Sequence, residues 1–390
     1  MHPEMEMIRC IIGRGGTSKG IYIHKNELPK DPIKRDAVIR AIYGSPDVRQ
    51  IDGLGGADVL TSKLAIIGPS TREDCDVDYT FGQVSFVDET IDYKGNCGNI
   101  SAGVGPFAID EGMVEAVEPV TTVRIHLTNS NNVLVAEVPV KDGKAMVTGD
   151  CAIDGCPGTG AQITLDWSDV VGGVSGSILP TGNLKDTVTI DGKDYTFSLV
   201  DAGNPLVFIH ASNLGLKGTE SAAEIEGDKK LMDLIEKIRG YATFWCGMCD
   251  KPENSQAQSP YAPFFTIVSP AADYTTYNGK KISKSDIDIT ARLTFMQRMH
   301  KTYPGTGTAS TGAAVRIPGT VAYEVLSEDA KNRTIVNIGH PGGIIPVEAE
   351  VDPSSKSPKE TKMKRLGVYR TARRIMEGYV YVRKSVFGNK

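Results

Sequence analysis

Short runs of apolar residues recur along the whole chain, and many of them alternate with polar residues or are rich in β-branched side chains. Gly, Asn or Pro separates most of these runs, as at the turns between β-strands. The pattern therefore predicts many short strands. The predicted strands are MIRCII, GIYIH, KLAIIG, DVDYTFGQVSF, TTVRIHL, NVLVAEVPV, TVTI, YTFSLV, PLVFIH, FFTIVS, AYEVL, TIVNIGH and YVYVRKSVF.

Helical periodicity is restricted to fewer segments. We predict helices over residues 31–43, 99–111, 222–240, 284–300 and 308–316. Strands thus outnumber helices, and the two do not alternate regularly as they do in a parallel βαβ fold. The predicted fold class is α+β, with mostly antiparallel strands.

Three segments of the first half are echoed in the same order in the second half. The pairs are RCIIGRGGTSKGIYIH (9–24) with FSLVDAGNPLVFIH (197–210), TSKLAIIGPS (61–70) with APFFTIVSP (262–270), and CGNISAGVGPFA (97–108) with TGTASTGAAVRI (306–317). Ordered internal similarity indicates that one structural unit is repeated. We predict two domains of one design that meet face to face, although strand–turn–strand units resemble one another in any α+β protein.

The composition argues against several classes of function. The 390 residues carry a net charge of −5, whereas a nucleic-acid-binding surface requires concentrated Lys and Arg. No apolar run approaches the roughly 20 residues that cross a bilayer, and the N-terminal MHPEMEMIRC does not have the pattern of a secretory signal. Seven thinly spread cysteines favour a reducing compartment. We therefore expect a cytoplasmic protein without nucleic-acid or membrane partners.

Two loops, NCGN and GTGT, each precede a segment of small residues that is predicted to be helical. Backbone N–H groups at a helix start bind anions, and glycine lets a ligand approach the backbone closely. Two such helix starts that face each other would bind two carboxylates. The residues predicted to supply them are Asn96, Gly98, Asn99, Thr306, Gly307, Thr308 and Ser310.

Cys97 and Lys63 are the candidate reactive side chains. The thiolate form of a cysteine is favoured at a helix N-terminus, where it can exchange protons near neutral pH. Most free cysteines, however, are small buried apolar residues. Lys63 lies at the start of the apolar run LAII. It is either a charge that protects a strand edge or a partly desolvated amine with a depressed pKa.

The segment GRGGTSKG (13–20) does not have the GxxxxGK[ST] spacing of a phosphate-binding loop, and a predicted strand follows it instead of a helix. It is therefore not interpreted as a nucleotide site. Arg14, with Thr17 and Ser18, suits a carboxylate, because a guanidinium binds this group through two hydrogen bonds.

The cysteine pair in CGMC (246–249) has CxxC spacing, but no second CxxC accompanies it, so we expect no metal site. His300 and His340 flank the second glycine-rich loop and a turn. Each of these histidines either binds substrate or makes a structural hydrogen bond.

The segments RGGTSKG, DGLGGADVLTSK, NCGNISAGVGPFAI, DAGNP and TGTAS resemble, in this order, the PrpF-type isomerases, which are similar to diaminopimelate epimerase. The resemblance extends from about Met7 to at least His340. It implies two similar diaminopimelate-epimerase-like domains, each a mainly antiparallel β-sheet or barrel wrapped around a central helix, with the active site in the cleft between them. We expect the domains over residues 1–185 and 186–376, with a strand in 377–390 that returns to the first domain.

The resemblance also implies an allylic proton shift on an unsaturated di- or tricarboxylate. It places Ser62 and Lys63 in the site and makes Lys63 and Cys97 an acid–base pair, with Lys63 favoured as the base. Diaminopimelate epimerase uses one cysteine from each domain, whereas the second loop here has Thr306, which cannot accept a proton at neutral pH. A two-thiol epimerase or racemase is therefore disfavoured, and a non-catalytic carboxylate-binding module is the remaining alternative class.

Within the family, the motif spacing and the length look closest to enzymes that isomerise 3-methylitaconate to dimethylmaleate. Isomerases of 2-methylaconitate or aconitate and 4-oxalomesaconate tautomerases are the alternatives. The resemblance implies no metal or organic cofactor and a small carboxylate as the partner. We expect a homo-oligomer, because most soluble oligomers are assembled from identical chains.

Overall fold

The computed structural model describes residues 2–388 of the chain. Among these residues are 23 β-strands and seven α-helices, so the predicted α+β class is confirmed. The strands are β1 (Met5–Gly15), β2 (Ser18–His24), β3 (Lys63–Pro69), β4 (Val77–Val84), β5 (Ile91–Asp92), β6 (Val120–Leu127), β7 (Asn132–Lys141), β8 (Lys144–Ala145), β9 (Cys151–Ala152), β10 (Thr159–Gly160), β11 (Ile163–Asp166), β12 (Asp186–Ile190), β13 (Lys193–Asp201), β14 (Pro205–His210), β15 (Phe264–Pro270), β16 (Tyr274–Thr275), β17 (Lys281–Ile282), β18 (Ile289–Phe295), β19 (Arg298–Met299), β20 (Ile335–His340), β21 (Gly343–Val351), β22 (Met363–Arg370) and β23 (Ala372–Arg383). The helices are α1 (Pro32–Tyr43), α2 (Val104–Asp110), α3 (Ala222–Gly227), α4 (Lys229–Trp245), α5 (Ser255–Gln258), α6 (Gly305–Ala314) and α7 (Val321–Val325).

Most of the strands form one continuous sheet. Its order is β23–β1–β2–β3–β4–β6–β7–β11–β22–β21–β20–β18–β15–β14–β13–β12. The short strands β5, β8 and β19 pair with β4, β7 and β18. Two small separate sheets are formed by β9 with β10 and by β16 with β17.

The large sheet contains a repeated strand order. The series β1–β2–β3–β4–β6–β7–β11 has the same succession of antiparallel and parallel pairs as β13–β14–β15–β18–β20–β21–β22. The three echoes in the sequence lie at equivalent places in these two units: the first strand pair, the third strand and the central helix. The two units therefore have one design, and β11 pairs with β22 where their last strands meet.

The C-terminal strand β23 lies on the first unit, where it pairs with β1 along Met5–Gly15. The segment 377–390, in which this strand is expected, overlaps β23, and residues 389 and 390 lie outside the described residues. The expected division between residues 185 and 186 falls between β11 and β12. The position of that domain boundary stays a prediction.

A helix of small residues packs on the sheet at the same place in each unit. Helix α2 continues a 3₁₀-helix at Ile100–Gly103, and all ten residues of α6 are buried. A Cβ atom on Gly105 would lie 2.7 Å from Cγ2 of Val138 in β7, and one on Gly312 would lie 2.7 Å from Cγ2 of Val347 in β21. The glycines thus permit equivalent close helix–sheet packing in both units.

Four of the predicted helical segments are helical. The segment 31–43 is α1, with Pro32 at its first turn and an Asp31 side chain that accepts a hydrogen bond from the backbone N–H of Lys34. The segment 99–111 is the 3₁₀-helix with α2, 222–240 lies in α3 and α4, and 308–316 overlaps α6. No helix in residues 2–388 is long and apolar enough to cross a membrane.

Two predictions of local structure are wrong. Residues 284–300 contain β18 and β19 instead of a helix. Every residue of β18 is buried, since β15 and β20 pair with it on either side, and periodicity does not separate such a strand from a helix. The run AYEVL lies in and next to α7, because the Thr320 side chain caps that helix by accepting from the backbone N–H of Tyr323.

Candidate active site

The two glycine-rich loops touch each other at the starts of the central helices. A Cβ atom on Gly98 would lie 2.6 Å from the backbone N of Thr306, and one on Gly305 would lie 2.7 Å from the backbone C of Gly98. Only glycine fits at such separations. The two helix starts therefore face each other across the junction of the two units.

A small cavity lies between these loops. Its lining residues come from both units, and they are Lys63, Cys97, Gly98, Asn99, Tyr261, Phe264, Phe295, His300, Pro304 and Thr306. The side chains of Lys63 and Cys97 are almost fully enclosed, because these residues are only 2% and 4% exposed. The cavity thus brings together the two candidate reactive groups, which are 34 positions apart in the sequence.

Lys63 is the first residue of β3 and is paired with Gln83 of β4. Its Nζ atom donates a hydrogen bond to Oε1 of Gln83 at 2.9 Å and lies 5.4–5.8 Å from the ring centroids of Phe81, Tyr261 and Phe295. Burial lowers the pKa of Lys63 from its ordinary value, and the nearby Cys97 opposes this shift. An edge-protecting role does not fit Lys63, because β3 is paired on both sides.

Cys97 lies in the loop that leads into the 3₁₀-helix before α2. Its carbonyl oxygen accepts hydrogen bonds from the backbone N–H of Ser101 at 2.9 Å and from the Ser101 hydroxyl at 2.7 Å. All seven cysteines of the chain are free, so no disulfide occupies the Cys97 thiol. The thiol and the Lys63 amine approach the cavity from different elements of the first unit.

Asn204, at the turn between β13 and β14, joins the two glycine-rich loops. Its Oδ1 accepts from the backbone N–H of Asn96 at 2.9 Å, and its Nδ2 donates to the Asn96 carbonyl oxygen at 2.8 Å and to the Thr306 hydroxyl at 3.0 Å. Tyr261 also donates to the Asn96 carbonyl oxygen, at 2.8 Å. These bonds fix the residues on either side of the Cys97 and Thr306 positions.

The Asn99 side chain connects the first loop to the last strand of the second unit. Its Oδ1 accepts from Nε of Arg370 at 2.9 Å, and its Nδ2 faces the hydroxyls of Thr17 at 3.1 Å and Ser18 at 3.4 Å. Arg370 also donates to the Thr308 hydroxyl at 3.4 Å. Thr17, Ser18 and Thr308, which the sequence predicts as substrate ligands, thus lie behind the lining residues and orient Asn99 and Arg370.

The start of α6 keeps backbone donors available. Its N-cap residue, Pro304, makes no side-chain capping bond, and the first backbone bond runs from the N–H of Thr308 to the Pro304 carbonyl at 2.8 Å. The N–H groups of Gly305, Thr306 and Gly307 precede that bond and have no acceptor within the helix. With the positive end of the helix dipole, they favour an anionic group at this end of the cavity.

His300 is a neutral hydrogen-bond donor at the cavity wall. Its Nδ1 atom accepts from the backbone N–H of Thr302 at 3.2 Å, so the ring proton of the neutral form is on Nε2. Burial, together with the positive charge of Lys63, lowers the pKa of His300 to about 3. The imidazole therefore stays uncharged at physiological pH and can donate a hydrogen bond to a substrate oxygen.

Arg14 is predicted to bind a carboxylate, but the structure places it elsewhere. Its Nη1 atom donates to the carbonyl oxygens of Gly16 and Thr371, both at 2.9 Å. The side chain lines a separate cavity with Tyr22 and Phe107. Arg14 is occupied by backbone acceptors next to β23, and we do not assign it to the substrate.

The side chains of two further predicted ligands are bonded to backbone carbonyl groups away from the cavity. The Ser62 hydroxyl donates to the carbonyl oxygen of Val84 at 2.8 Å. Ser310 donates to the Asn204 carbonyl oxygen at 2.7 Å, which holds α6 against the loop after β13. Gly307, also a predicted ligand, has no side chain, and its backbone N–H is one of the donors at the start of α6. Ser62 and Ser310 shape the loops through their bonds to the backbone.

Seven residues of the site are absent from the set predicted from the sequence. They are Gln83, Asn204, Tyr261, Phe264, Phe295, Pro304 and Arg370. Asn204 is part of DAGNP, whose echo of the turn in GRGGTSKG is a usable signal. The others depend on strand register or on distant pairing, which single-sequence patterns do not reveal.

The CGMC pair and His340 lie outside the set of lining residues. Burial raises the pKa of the Cys246 thiol, and Nδ1 of His340 accepts from the backbone N–H of Gly342 at 3.1 Å. Within residues 2–388 no group of three or more His, Cys, Asp or Glu side chains is placed to hold a metal ion.

Comparison with known proteins places the chain in one family. The family model described as PrpF protein matches residues 5–383. The 3-methylitaconate isomerase of Eubacterium barkeri is 52% identical over 379 residues, which cover 97% of this chain and 98% of that protein. The 4-oxalomesaconate tautomerase of Pseudomonas putida is 37% identical, with 98% of both chains covered.

Solved structures show the same architecture. A crystal structure of a methylitaconate-delta-isomerase has 51% sequence identity and a TM-score of 0.82, and the match covers 99% of this chain and 98% of that chain. A hydroxyproline epimerase from Agrobacterium vitis has 13% identity and a TM-score of 0.56, with 98% and 94% covered. The predicted epimerase-like fold is therefore confirmed.

Proposed function

Because this chain belongs to the PrpF protein family, we propose that it is an isomerase that converts 3-methylitaconate to dimethylmaleate. The high identity to a 3-methylitaconate isomerase along almost the full length of both chains supports this substrate. The reaction moves one hydrogen across an allylic system and transposes one C=C bond. It therefore requires a proton acceptor and a proton donor at opposite ends of the substrate.

The observation that carries the proposal is the enclosure of one amine and one thiol in a single small cavity. Lys63 and Cys97 both line it, and aromatic residues, polar residues and the glycine-rich loops form the rest of its wall. Lys63 forms no ion pair with a carboxylate in the described residues, and burial disfavours its ammonium form, so this amine gives up its proton more readily than an exposed lysine does. Such an amine is a competent general base.

In the proposed reaction, the Lys63 amine removes the proton from the substrate carbon that bears the methyl group. The electron pair enters the allylic system, and the charge is delocalised onto the carboxylate attached to that same carbon. The Cys97 thiol then delivers its proton to the terminal CH₂ carbon, which becomes the second methyl group. Exchange with solvent then removes the proton from the resulting ammonium and reprotonates the thiolate, which restores both groups. Each acid–base contribution is worth roughly 10²–10⁴-fold in rate.

The charge that develops on the carboxylate needs hydrogen-bond donors that are already in place. The backbone N–H groups at the start of α6 and the Nε2–H of His300 can supply them. Asn99, held by Arg370, lies beside them on the lining. We therefore assign the helix start, His300 and Asn99 to the substrate carboxylates.

Incubation of the purified protein with 3-methylitaconate in D₂O tests the proposal. We expect the NMR spectrum to show dimethylmaleate with one deuterium in a methyl group, and the absorbance of the more conjugated product to rise. The same assay is run with 2-methylaconitate, aconitate and 4-oxalomesaconate. Turnover of one of these instead of 3-methylitaconate would favour another isomerase of the family.

Two outcomes would place the protein outside this reaction class. Inversion of a saturated amino acid would indicate an epimerase, which the Thr306 position argues against. Saturable binding of dicarboxylates without turnover of any substrate would indicate a non-catalytic binding module. Either result would overturn the proposed function.

We also propose that the enzyme acts in the cytoplasm as a homo-oligomer. The seven free cysteines support a reducing compartment, and the preference of soluble oligomers for identical subunits supports the assembly. Light scattering coupled to size-exclusion chromatography measures the mass against the 41.9 kDa of one chain. A mass of one chain at micromolar concentration would overturn the assembly.

A further inference from the structure

Gln83 is the hydrogen-bond partner of the candidate base. Lys63 and Gln83 are partners in the antiparallel register of β3 and β4, so their side chains lie on the same face of the sheet. The Lys63 Nζ atom donates to Gln83 Oε1 at 2.9 Å, and Gln83 itself is 1% exposed. The contact is therefore sealed from bulk water.

Two backbone acceptors determine which end of the Gln83 amide faces Lys63. The Nε2 atom of Gln83 donates to the carbonyl oxygen of Ser62 at 3.0 Å and to that of Val59 at 3.3 Å. Carbonyl oxygens only accept hydrogen bonds, so the NH₂ group must point toward them. The amide oxygen therefore faces Lys63 and accepts its hydrogen bond. This bond fixes the orientation of the Lys63 amine.

We propose that Gln83 is a positioning residue that aims the Lys63 amine at the substrate while offering it an uncharged partner. This inference rests on the proposed function, in which Lys63 transfers a proton. A carboxylate at this position would hold the lysine equally well but would stabilise the ammonium. The neutral amide holds the amine in place and leaves it able to give up its proton.

Several titratable groups surround Lys63 and Gln83. Cys97, Tyr261 and His300 line the same cavity, and Asp58 acts on Lys63 from the loop before β3. Arg370 is close enough to affect His300. Asp92 of β5 is the register partner of Gln83 on its other side, and its carboxylate accepts from the backbone N–H of Lys94 at 2.8 Å. Gln83 thus stands between Lys63 and a buried carboxylate.

The test compares Gln83→Glu with Gln83→Met, which has a similar volume and no charge. We measure kcat/KM from about pH 5 to about pH 10, a range that spans the ordinary pKa values of thiols and amines. Glutamate stabilises the ammonium and disfavours the thiolate, so we expect the profile to move to higher pH by about one unit or more. Methionine removes the acceptor of the Lys63 hydrogen bond. The part of the kcat/KM profile that depends on the ionisation of Lys63 should therefore move to lower pH, and kcat/KM at the optimum should fall about tenfold or more.

Shifts in opposite directions are not expected from a purely structural role. Profiles that stay at the wild-type position in both variants would overturn the role of Gln83. If the glutamate variant does not fold, as judged by its circular dichroism, the methionine variant decides by the direction of its shift. Lys63→Ala separates the two proposals: its full activity would overturn the proton-transfer role of Lys63, whereas its inactivity with unshifted Gln83 profiles would overturn the Gln83 inference alone.

Discussion

Arg370 donates from Nε to Oδ1 of Asn99 at 2.9 Å, which ties the last strand of the second unit to the loop that carries Cys97. The guanidinium is 1% exposed and forms no ion pair within the described residues. Burial lowers the pKa of Arg370 to about 10, and the nearby Cys97 opposes this shift. A buried cation without a carboxylate partner is costly, and Arg370 places this charge next to Asn99 and Thr308 at the site.

Arg370→Met should therefore separate activity from stability. We expect kcat/KM to fall about 100-fold, since Asn99 loses its anchor and small misplacements at a reacting centre are expensive. The melting temperature should stay the same or rise, because an unpaired buried charge has been removed. Arg370→Lys keeps the charge without the planar fork and should be intermediate in activity. Wild-type kcat/KM in Arg370→Met would contradict this account.

Gly98→Ala should disrupt the meeting of the two loops. Its Cβ would lie 2.6 Å from the backbone of Gly305 and Thr306, and backbone atoms cannot avoid it by a rotamer change. We expect a loss of about 1–3 kcal/mol in the free energy of unfolding, measured by denaturant titration, with reduced turnover. Gly227→Ala is the matched control, because its added Cβ has no atom within 4 Å other than those of its chain neighbours and its own helix backbone. A Gly98→Ala protein as stable as that control would contradict the close approach.

The repeated design is readable from the sequence because each unit keeps its small residues at the same structural places. The echo of CGNISAGVGPFA and TGTASTGAAVRI corresponds to the two central helices, and that of GRGGTSKG and DAGNP to the two turns before the second strand. Those turns behave differently, however: Asn204 bonds both loops, whereas Arg14 bonds backbone carbonyls. Local patterns locate the turns, but the partners of their side chains depend on the packing around them.

The supporting residues could not be predicted for a different reason. Gln83 lies 20 positions after Lys63 in the sequence, and it contacts Lys63 because the register of β3 and β4 pairs the two residues. Arg370 reaches Asn99 across 271 positions of sequence. The segment 284–300 is predicted to be helical from its pattern, but it contains a strand. A strand that is buried on both faces does not alternate apolar and polar residues, so its pattern does not distinguish it from a helix. Each of these features is set by tertiary pairing, which periodicity does not encode.

His300 should contribute to the pH dependence of stability but not to that of catalysis above about pH 5. Its pKa is lowered to about 3 in the folded protein, whereas an unfolded histidine titrates near about pH 6.5. The unfolded state therefore binds more protons between these values, and stability falls as the pH drops through this window. His300→Phe should unfold with a weaker acid dependence, measured by urea titration at several pH values, and should lose turnover with the Nε2–H donor. An ¹⁵N spectrum with a charged His300 ring at pH 6 would contradict the neutral assignment.

Single substitutions of Lys63 and Cys97 should separate the two proton transfers. With Cys97→Ser, Lys63 can still remove the proton next to the methyl group of 3-methylitaconate, so this position should exchange with D₂O. Isomerisation should fall about 10²–10⁴-fold, because the donor at the far end is lost. With Lys63→Ala, the methyl hydrogens of dimethylmaleate should exchange instead, since the proposed reaction assigns Cys97 to that end of the allylic system. A sample without enzyme measures the background exchange, and NMR follows both positions. If each variant exchanged the other position instead, Cys97 would be the base and Lys63 the acid in this direction of the reaction. Full turnover in either variant would show that the replaced residue does not transfer a proton.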